Sequence, residues 1–461
     1  MEHNSTTAAS PTPATNVRYG VLGILCVGAT VAYFSRNILG VAASDIRAEL
    51  DLSVEQMGVI MGSFFYLYSA MQIPGGLVGE RFGIRQALLT YALVWGAATL
   101  ALGATAGYVS LLLTYVVVGV AQGGLFPCSV IAFSRWLPTA RHGLAGGTLT
   151  SFMSIGGAIA SALTGALLAY TSWRWICAAF GLPALVWGLF FFWWFRNHPR
   201  EHAGVNDAEL AIIRGGRSTG SQGVTEVEGG DCASPAAPGD RSLTVGAGTA
   251  WRIVLTSWAM WMVAGQQFFR AAGYIFFATW FPTYLKETRG VTTAASGFLT
   301  MAPLLSAVVG ATLGGILADG IWTRTGSRVL SRNGVGIVCT SACALACYLA
   351  YRSDSTATVT LWLSIGGFFQ AMASPAAIAV ALDVGGRQVS KVYSLMNTCG
   401  NLGAAVCPWA VARFVTATGE RWELVPLFFV FVYMSSVFCW VFLNPNRHIV
   451  PESTDAMESR A

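Results

Sequence analysis

The sequence predicts an all-α membrane protein with 12 transmembrane helices in two pseudo-symmetric six-helix bundles. Three observations support this prediction: the composition, the repeated apolar runs, and the similarity of the two halves. Of the 461 residues, 54% are hydrophobic and only 11% are charged, whereas soluble domains carry about 25% charged residues. Helices are expected throughout because a helix satisfies its own backbone polar groups in lipid.

Apolar runs of about 20 residues, the length that crosses a hydrocarbon core, recur along the chain. Twelve are predicted as spanning helices, at residues 19–41, 55–77, 87–106, 110–132, 145–167, 175–195, 257–282, 294–317, 334–352, 358–381, 391–415 and 424–443. A polar stretch with the composition of a flexible linker separates six runs from six. The predicted divisions are a disordered cytoplasmic tail (1–18), a first bundle (19–195), a cytoplasmic linker (196–256), a second bundle (257–443) and a cytoplasmic tail (444–461).

The two halves share short patterns at corresponding positions. A Gly-Gly pair followed by an acidic residue and arginines ends the second and the eighth run. In the fourth and tenth runs a glutamine lies five residues before a proline, and the first and seventh runs each contain an arginine. The corresponding residues are Gly75-Gly76 and Gly314-Gly315, Gln122 and Gln370, Pro127 and Pro375, and Arg36 and Arg270. Three patterns in register indicate a duplicated six-helix unit with a site between the copies.

The basic residues predict the orientation. With the amino terminus inside, inner segments carry 18 of the 27 Lys and Arg residues and outer loops carry six. Such an excess marks the cytoplasmic side, so both termini are expected in the cytoplasm and the protein in the plasma (inner) membrane. The net charge of +5 is therefore a topology signal and not a nucleic-acid-binding surface.

Arg36 and Arg270 each lie inside an otherwise apolar run, and no acidic residue lies in either run. A charged side chain in mid-bilayer costs roughly 2.5–3.5 kcal/mol on insertion scales. Two such cations without resident anions predict a site for an anionic ligand. The alternative is that either side chain extends to the headgroups or binds backbone carbonyls. Gln122 and Gln370 have an alternative as interhelical hydrogen-bonding residues.

The loop after the second run reads Gly-Gly-x-x-Gly-Glu-Arg-x-Gly-x-Arg and resembles the loop signature of the major facilitator superfamily, with Glu80 where Asp is usual. The resemblance covers residues 19–443. It implies that the loop charges stabilise one state of an alternating-access cycle. Glu80, Arg81, Arg85 and Asp319 are accordingly predicted to be gating residues; the alternative is a solvated loop whose charges only set topology.

Within that superfamily the chain resembles the anion:cation symporter group, which includes sugar-acid, sialin and vesicular glutamate carriers. The resemblance lies in Tyr-Phe-Ser-Arg-Asn at 33–37, in the aromatic second run, and in Asn397 and Asn401 of the eleventh. It implies a substrate cavity lined by Tyr33, Arg36, Tyr68 and Asn397, to which Gln122 and Asn401 are added. Arg270 resembles the seventh-helix arginine of the vesicular glutamate carriers. Two facing arginines would suit a ligand with two acidic groups.

One departure concerns coupling. Proton-coupled members of this group usually carry Asp before the first-helix arginine and Glu in helix 4, but this chain has Ser35 and Gln122. Neither side chain titrates near neutral pH. Uniport, exchange, Na⁺ coupling and a proton carried by the ligand remain open, so a co-transported H⁺ or Na⁺ is not assigned.

The sequence thus favours a secondary transporter of a small organic anion such as a sugar acid or dicarboxylate. The alternatives are a carrier of the same fold for a neutral or cationic solute, and a receptor-like protein that does not transport. The sequence shows no nucleophile–base arrangement or phosphate loop, so an enzyme is not expected. No metal or cofactor is expected, since Cys339, Cys343 and Cys347 lack accompanying His or acidic residues. By resemblance the protein is expected to be a monomer in contact with lipid.

Overall fold

The computed structural model describes residues 13–138, 141–218, 247–385, 389–446 and 449. Parts of the predicted tails and of the predicted linker lie outside these ranges. We call the end of the bundle at which the first helix begins the inner end, and the opposite end the outer end.

Twelve long helices account for most of the described chain. They are α1 (Val17–Val41), α2 (Val54–Phe82), α3 (Ile84–Leu102), α4 (Tyr108–Trp136), α5 (His142–Leu168), α6 (Trp173–Trp194), α7 (Trp258–Thr279), α8 (Thr293–Thr325), α9 (Val335–Tyr351), α10 (Thr356–Gly385), α11 (Val389–Ala417) and α12 (Val425–Val441). Each corresponds to one of the 12 predicted runs. A short helix, Ala43–Leu50, follows α1, and Phe281–Arg289 continues α7 toward the outer end.

Eight of the helices in the described ranges are long and apolar enough, by length and composition alone, to cross a membrane: α1, α4, α5, α6, α8, α9, α10 and α12. α7 and α11 are less apolar because they carry Gln267 and Arg270, and Asn397 and Asn401. These polar residues belong to the site described below. The lower hydropathy of α7 and α11 therefore reflects the polar residues that these two helices contribute to the candidate site.

Capping and glycine geometry set several helix ends. Ser53 and Gln56 form a capping box at the start of α2, in which each side chain accepts the other residue's backbone N–H, at 2.9–3.1 Å. Gly83 (φ +90°) ends α2, and Gly326 (φ +62°) ends α8. Both conformations favour glycine, which explains why corresponding loops in the two halves contain glycine at these positions.

Prolines interrupt α4 and α10 at corresponding places. α4 breaks at Gly124, three residues before Pro127, and α10 breaks at Ala373, two residues before Pro375. Proline lacks the N–H of a helical hydrogen bond and its ring opposes the carbonyl one turn earlier. Each break lies within three residues of the buried glutamine that precedes it, so the glutamine–proline pattern in the sequence marks an interruption in each of the two helices.

A helix at the inner end, Asp207–Ser218, docks on the start of α1, where the sequence predicts a short amphipathic helix near Asp207–Ile213. The Glu209 carboxylate is fully buried and accepts hydrogen bonds from the backbone N–H groups of Val17 and Arg18 (3.3 and 3.0 Å) and from the Thr15 hydroxyl. It also forms a 3.0 Å ion pair with Arg18 Nη1. Glu209 thus satisfies free N–H groups at a helix N-terminus, where negative charge is favourable. This cap explains why α1 begins at Val17, two residues before the prediction.

Replacing Glu209 by alanine is expected to destabilise the protein strongly, because Arg18 would remain buried without its partner. Breaking a buried ion pair from one side costs about 3–5 kcal/mol, which corresponds to a fall in melting temperature on the order of 10 °C. Thermal unfolding of the purified protein in detergent measures this. Glu201→Ala is the control, since Glu201 lies in the same segment but is exposed, and an equal melting temperature for the two variants would refute the role of Glu209.

Candidate functional site

Arg36 lies in the outer half of α1, and its guanidinium group is surrounded by aromatic rings and one amide. The Cζ atom lies 4.6 Å from the ring centroid of Tyr33, 4.4 Å from that of Tyr68 and 5.0 Å from that of Phe64. Nε donates a 2.8 Å hydrogen bond to Oε1 of Gln122. Rings at these distances attract a cation without neutralising it, so the positive charge of Arg36 remains available to a ligand.

Gln122 orients this arginine. It is fully buried on α4, and its Nε2 donates to the Ala32 carbonyl of α1 at 3.2 Å while its Oε1 accepts from Arg36. The Tyr115 hydroxyl, also on α4, donates to the Arg36 carbonyl at 3.1 Å. The amide therefore bridges the helices, which is the alternative considered from sequence. Direct contact between Gln122 and substrate stays a prediction.

Arg270 lies on α7 and also has neutral partners. Nε and Nη2 donate to Oε1 of Gln267 at 3.1 and 2.9 Å, and Nη1 donates to the Ser374 hydroxyl at 2.6 Å. The Gln370 amide of α10 donates to the Arg270 carbonyl at 3.1 Å, as Gln122 does to α1. Among the ion pairs of the described residues, none involves Arg36 or Arg270.

Tyr274 lies on the same helical face as Arg270, four residues or about one helical turn after it on α7. With Tyr33 and Arg36 it lines a cavity of about 30 Å³ between α1 and α7, which holds only about one or two water molecules. The sequence prediction omits Tyr274. Its four-residue spacing from Arg270 was the available signal, because residues at that spacing share a helical face.

The two predicted asparagines of α11 lie at the boundary between the halves. Asn397 donates a 2.9 Å hydrogen bond to Oε1 of Gln72 on α2, and Asn401 donates to the Asn397 carbonyl at 3.1 Å. Gln72 lies in the second predicted run but is not among the predicted site residues. The Gln72–Asn397 bond joins the first half to the second on the inner side of Arg36.

The outer end is closed by close helix contacts and ion pairs between the halves. A Cβ atom at Gly40 would lie 2.0 Å from the Ala278 carbonyl oxygen, and one at Gly62 would lie 2.4 Å from that of Ala405. Lys286 pairs with Asp45 at 3.5 Å. Arg413 and Glu55 form a second pair at 3.0 Å. α1 and α7, and likewise α2 and α11, therefore meet backbone to backbone near the outer end.

The predicted gating residues occupy the inner end. Glu80, Arg81 and Asp319 are exposed, and the ion pairs found among the described residues include none of them. Arg85 instead anchors α3 to α6: its Nε donates to the Phe192 carbonyl at 2.6 Å, and its guanidinium lies 4.1 Å from the Phe192 ring centroid. A gating role for these four residues stays a prediction.

Two related six-helix units with polar and cationic side chains gathered between them define a membrane transport protein. The chain belongs to the Major Facilitator Superfamily, whose family model matches residues 25–328 and 312–459. The resemblance predicted from the loop signature is thereby confirmed, and the protein is a transporter and not an enzyme.

Several named transporters are similar to this protein over nearly its whole chain. The probable sulfoacetate transporter SauU of Cupriavidus necator is 32% identical over 404 residues, covering 87% of this chain and 88% of the relative. The D-galactonate transporter of Escherichia coli O6:H1 is 27% identical over 412 residues, covering 88% and 91%. Probable galactarate/D-glucarate transporters from Escherichia coli and Bacillus subtilis are 27% and 26% identical.

Solved structures share the fold. A bacterial homologue of the human lysosomal transporter Spinster, in an inward-facing and unoccupied conformation, superposes with a TM-score of 0.68 at 19% identity, covering 94% of this chain and 95% of that chain. The D-xylose-proton symporter superposes with a TM-score of 0.67 at 13% identity, covering 93% and 98%. The predicted fold of 12 helices in two bundles is confirmed.

Proposed function

We propose that this transporter carries a small organic anion with two acidic groups, one bound by Arg36 and the other by Arg270. The observation that supports this proposal is the pair of guanidinium groups, each held in place by neutral side chains only. A guanidinium binds a carboxylate or sulfonate through parallel charge-assisted hydrogen bonds. Tyr33, Tyr68 and Asn397 supply further polar groups for the body of the ligand.

The relatives agree with this chemistry. Sulfoacetate carries a sulfonate and a carboxylate, and galactarate and glucarate carry two carboxylates; these are the anions for which several of the relatives are named. The D-galactonate and hexuronate relatives are named for anions with a single carboxylate. Two arginines in this chain favour the doubly charged type of ligand.

The bundles 19–195 and 257–443 are proposed to rock about this site in alternating access, as is general for carriers built from two repeats. Both termini and the segment 196–256 would then lie on the cytoplasmic side of the plasma membrane, as the distribution of Lys and Arg favours. The exposed Glu80, Arg81 and Asp319 would close the inner end in the opposite state.

A thermal-stability screen of the purified protein tests the substrate class. At 100 times their Kd, sulfoacetate and D-glucarate are expected to stabilise the protein by about 2.7 kcal/mol. At the same concentration, D-galactonate is expected to stabilise it by less, and D-galactose not at all. Equal stabilisation by galactonate and glucarate would show that the second arginine does not contribute. Stabilisation by the neutral sugar alone would favour the alternative of a neutral solute.

A further inference from the structure

We infer that the protein works as an anion exchanger: the carrier loaded with a dianion changes orientation rapidly, and the empty carrier does so slowly. This inference rests on the proposed function, because it requires the ligand to neutralise Arg36 and Arg270. It concerns how the return half of the transport cycle is completed, which the family and the relatives do not specify.

The first step is the charge of the empty site. Arg36 contacts the Gln122 amide and aromatic rings, and Arg270 contacts the Gln267 amide and the Ser374 hydroxyl. These groups hold the guanidinium groups in position but carry no negative charge. Without a ligand, the site between the bundles therefore holds two positive charges: Arg36 lines the same small cavity as Tyr274, and Arg270 lies one helical turn before Tyr274 on α7.

The second step is that the protein's own carboxylates lie far from this site along the helices. Among the described residues, the acids of the spanning helices occur near their ends, as Glu55 and Glu80 do in α2 and Asp319 and Asp383 do in α8 and α10. Glu55 and Asp383 are in addition paired with arginines. The remaining acids belong by sequence to the loops, linker and tails. Protonation or deprotonation of a carboxyl side chain therefore cannot balance the charge at the centre.

The third step is the loss of water when an end closes. Toward the closed outer end the space beside Arg36, Tyr33 and Tyr274 is about 30 Å³, room for about one or two waters. Arg36 and Arg270 are half-buried, and closing the inner end as well would desolvate both guanidinium groups further. Desolvated charges without a counter-charge are costly, whereas a bound dianion compensates both. The occluded intermediate is thus accessible to the loaded carrier and unfavourable for the empty one.

Exchange is tested with the full chain reconstituted in liposomes loaded with radiolabelled sulfoacetate, and in parallel with labelled D-glucarate. Efflux is measured into buffer without substrate anion and into buffer containing the same unlabelled anion. Efflux is expected to be at least about tenfold faster with external anion, a difference in barrier of about 1.4 kcal/mol. Equal rates, or net accumulation driven by an imposed proton gradient into liposomes without internal anion, would overturn the inference while leaving the proposed substrate class intact.

A matched pair of variants separates charge from packing. Arg270→Lys keeps the positive charge and should keep a large ratio of exchange to net efflux, whereas Arg270→Gln removes one charge and should bring the ratio toward one. An unchanged ratio in Arg270→Gln would overturn the inference. Absence of any flux of both anions through the wild-type protein would overturn the proposed function, and this inference with it.

Discussion

Replacing Arg36 by alanine is expected to weaken anion binding strongly and to reduce transport with it. The guanidinium lies among Tyr33, Phe64 and Tyr68, and by sequence Arg36 is the only Lys or Arg within the six predicted runs of the first half. Removing one partner of a desolvated charge pair costs about 2–5 kcal/mol, which lowers the affinity roughly 30- to 4,000-fold. Binding is measured by the ligand-induced thermal shift with sulfoacetate and D-glucarate, and transport by uptake into liposomes.

Two further variants make this result specific. Arg36→Lys keeps the charge but not the planar pair of donors, so it should retain only part of the affinity. Arg421→Ala is the control, because Arg421 is exposed and pairs only with exposed Glu423, an arrangement worth about 0–1 kcal/mol. If Arg36→Ala still bound dianions as tightly as Arg421→Ala, the proposed site would be wrong.

Replacing Gly40 by alanine is expected to prevent closure of the outer end. A Cβ atom there would lie 2.0 Å from the Ala278 carbonyl oxygen of α7, and neither backbone can give way without moving a whole helix. Close approach of helices through small residues is common in membrane bundles, and here the contact joins the two halves. Flux should fall by more than about tenfold, since the cycle needs both closed states, while ligand binding from the open side persists.

The distance between the outer ends is the direct measurement. Spin labels at Tyr170→Cys and Ser355→Cys report on the first and the second half, and both positions are exposed in outer loops. Gly40→Ala should shift the distribution to longer distances. Gly23→Ala, on the same helix, should leave it unchanged because no atom lies within 4 Å of its added Cβ. A Gly40→Ala distribution identical to that of Gly23→Ala would mean that α1 and α7 do not form the outer closure.

The helices were predictable from the sequence because lipid imposes a simple length and polarity rule on each one. The exceptions have local causes. α2 continues to Phe82 and α8 to Thr325, past the ends of their apolar runs, because positive-φ glycines and not polarity stop them. α1 begins earlier than predicted because a distant carboxylate, that of Glu209, caps it.

The site was only partly predictable. Arg36 and Arg270 are conspicuous because charge is rare in apolar runs, and Tyr33 follows from sharing a face with Arg36. Tyr274 was missed although it shares a helical face with Arg270. Ser374 could not be selected, since hydroxyls are frequent in membrane helices and only the packing of α10 against α7 brings this one to Arg270. The partner of Asn397 likewise depends on how α2 and α11 lie against each other.

The docked helix Asp207–Ser218 has a consequence for the covalent connection between the bundles. Glu209 ties this segment to the start of α1, and 28 residues separate its end at Ser218 from Ala247, where the described chain resumes. Fully extended, that stretch reaches about 90–100 Å, several times the width of a helix pair. A connection of that length does not by itself fix the distance between the bundles, and a transporter supplied as two polypeptides divided within it would keep the contacts formed among the described residues.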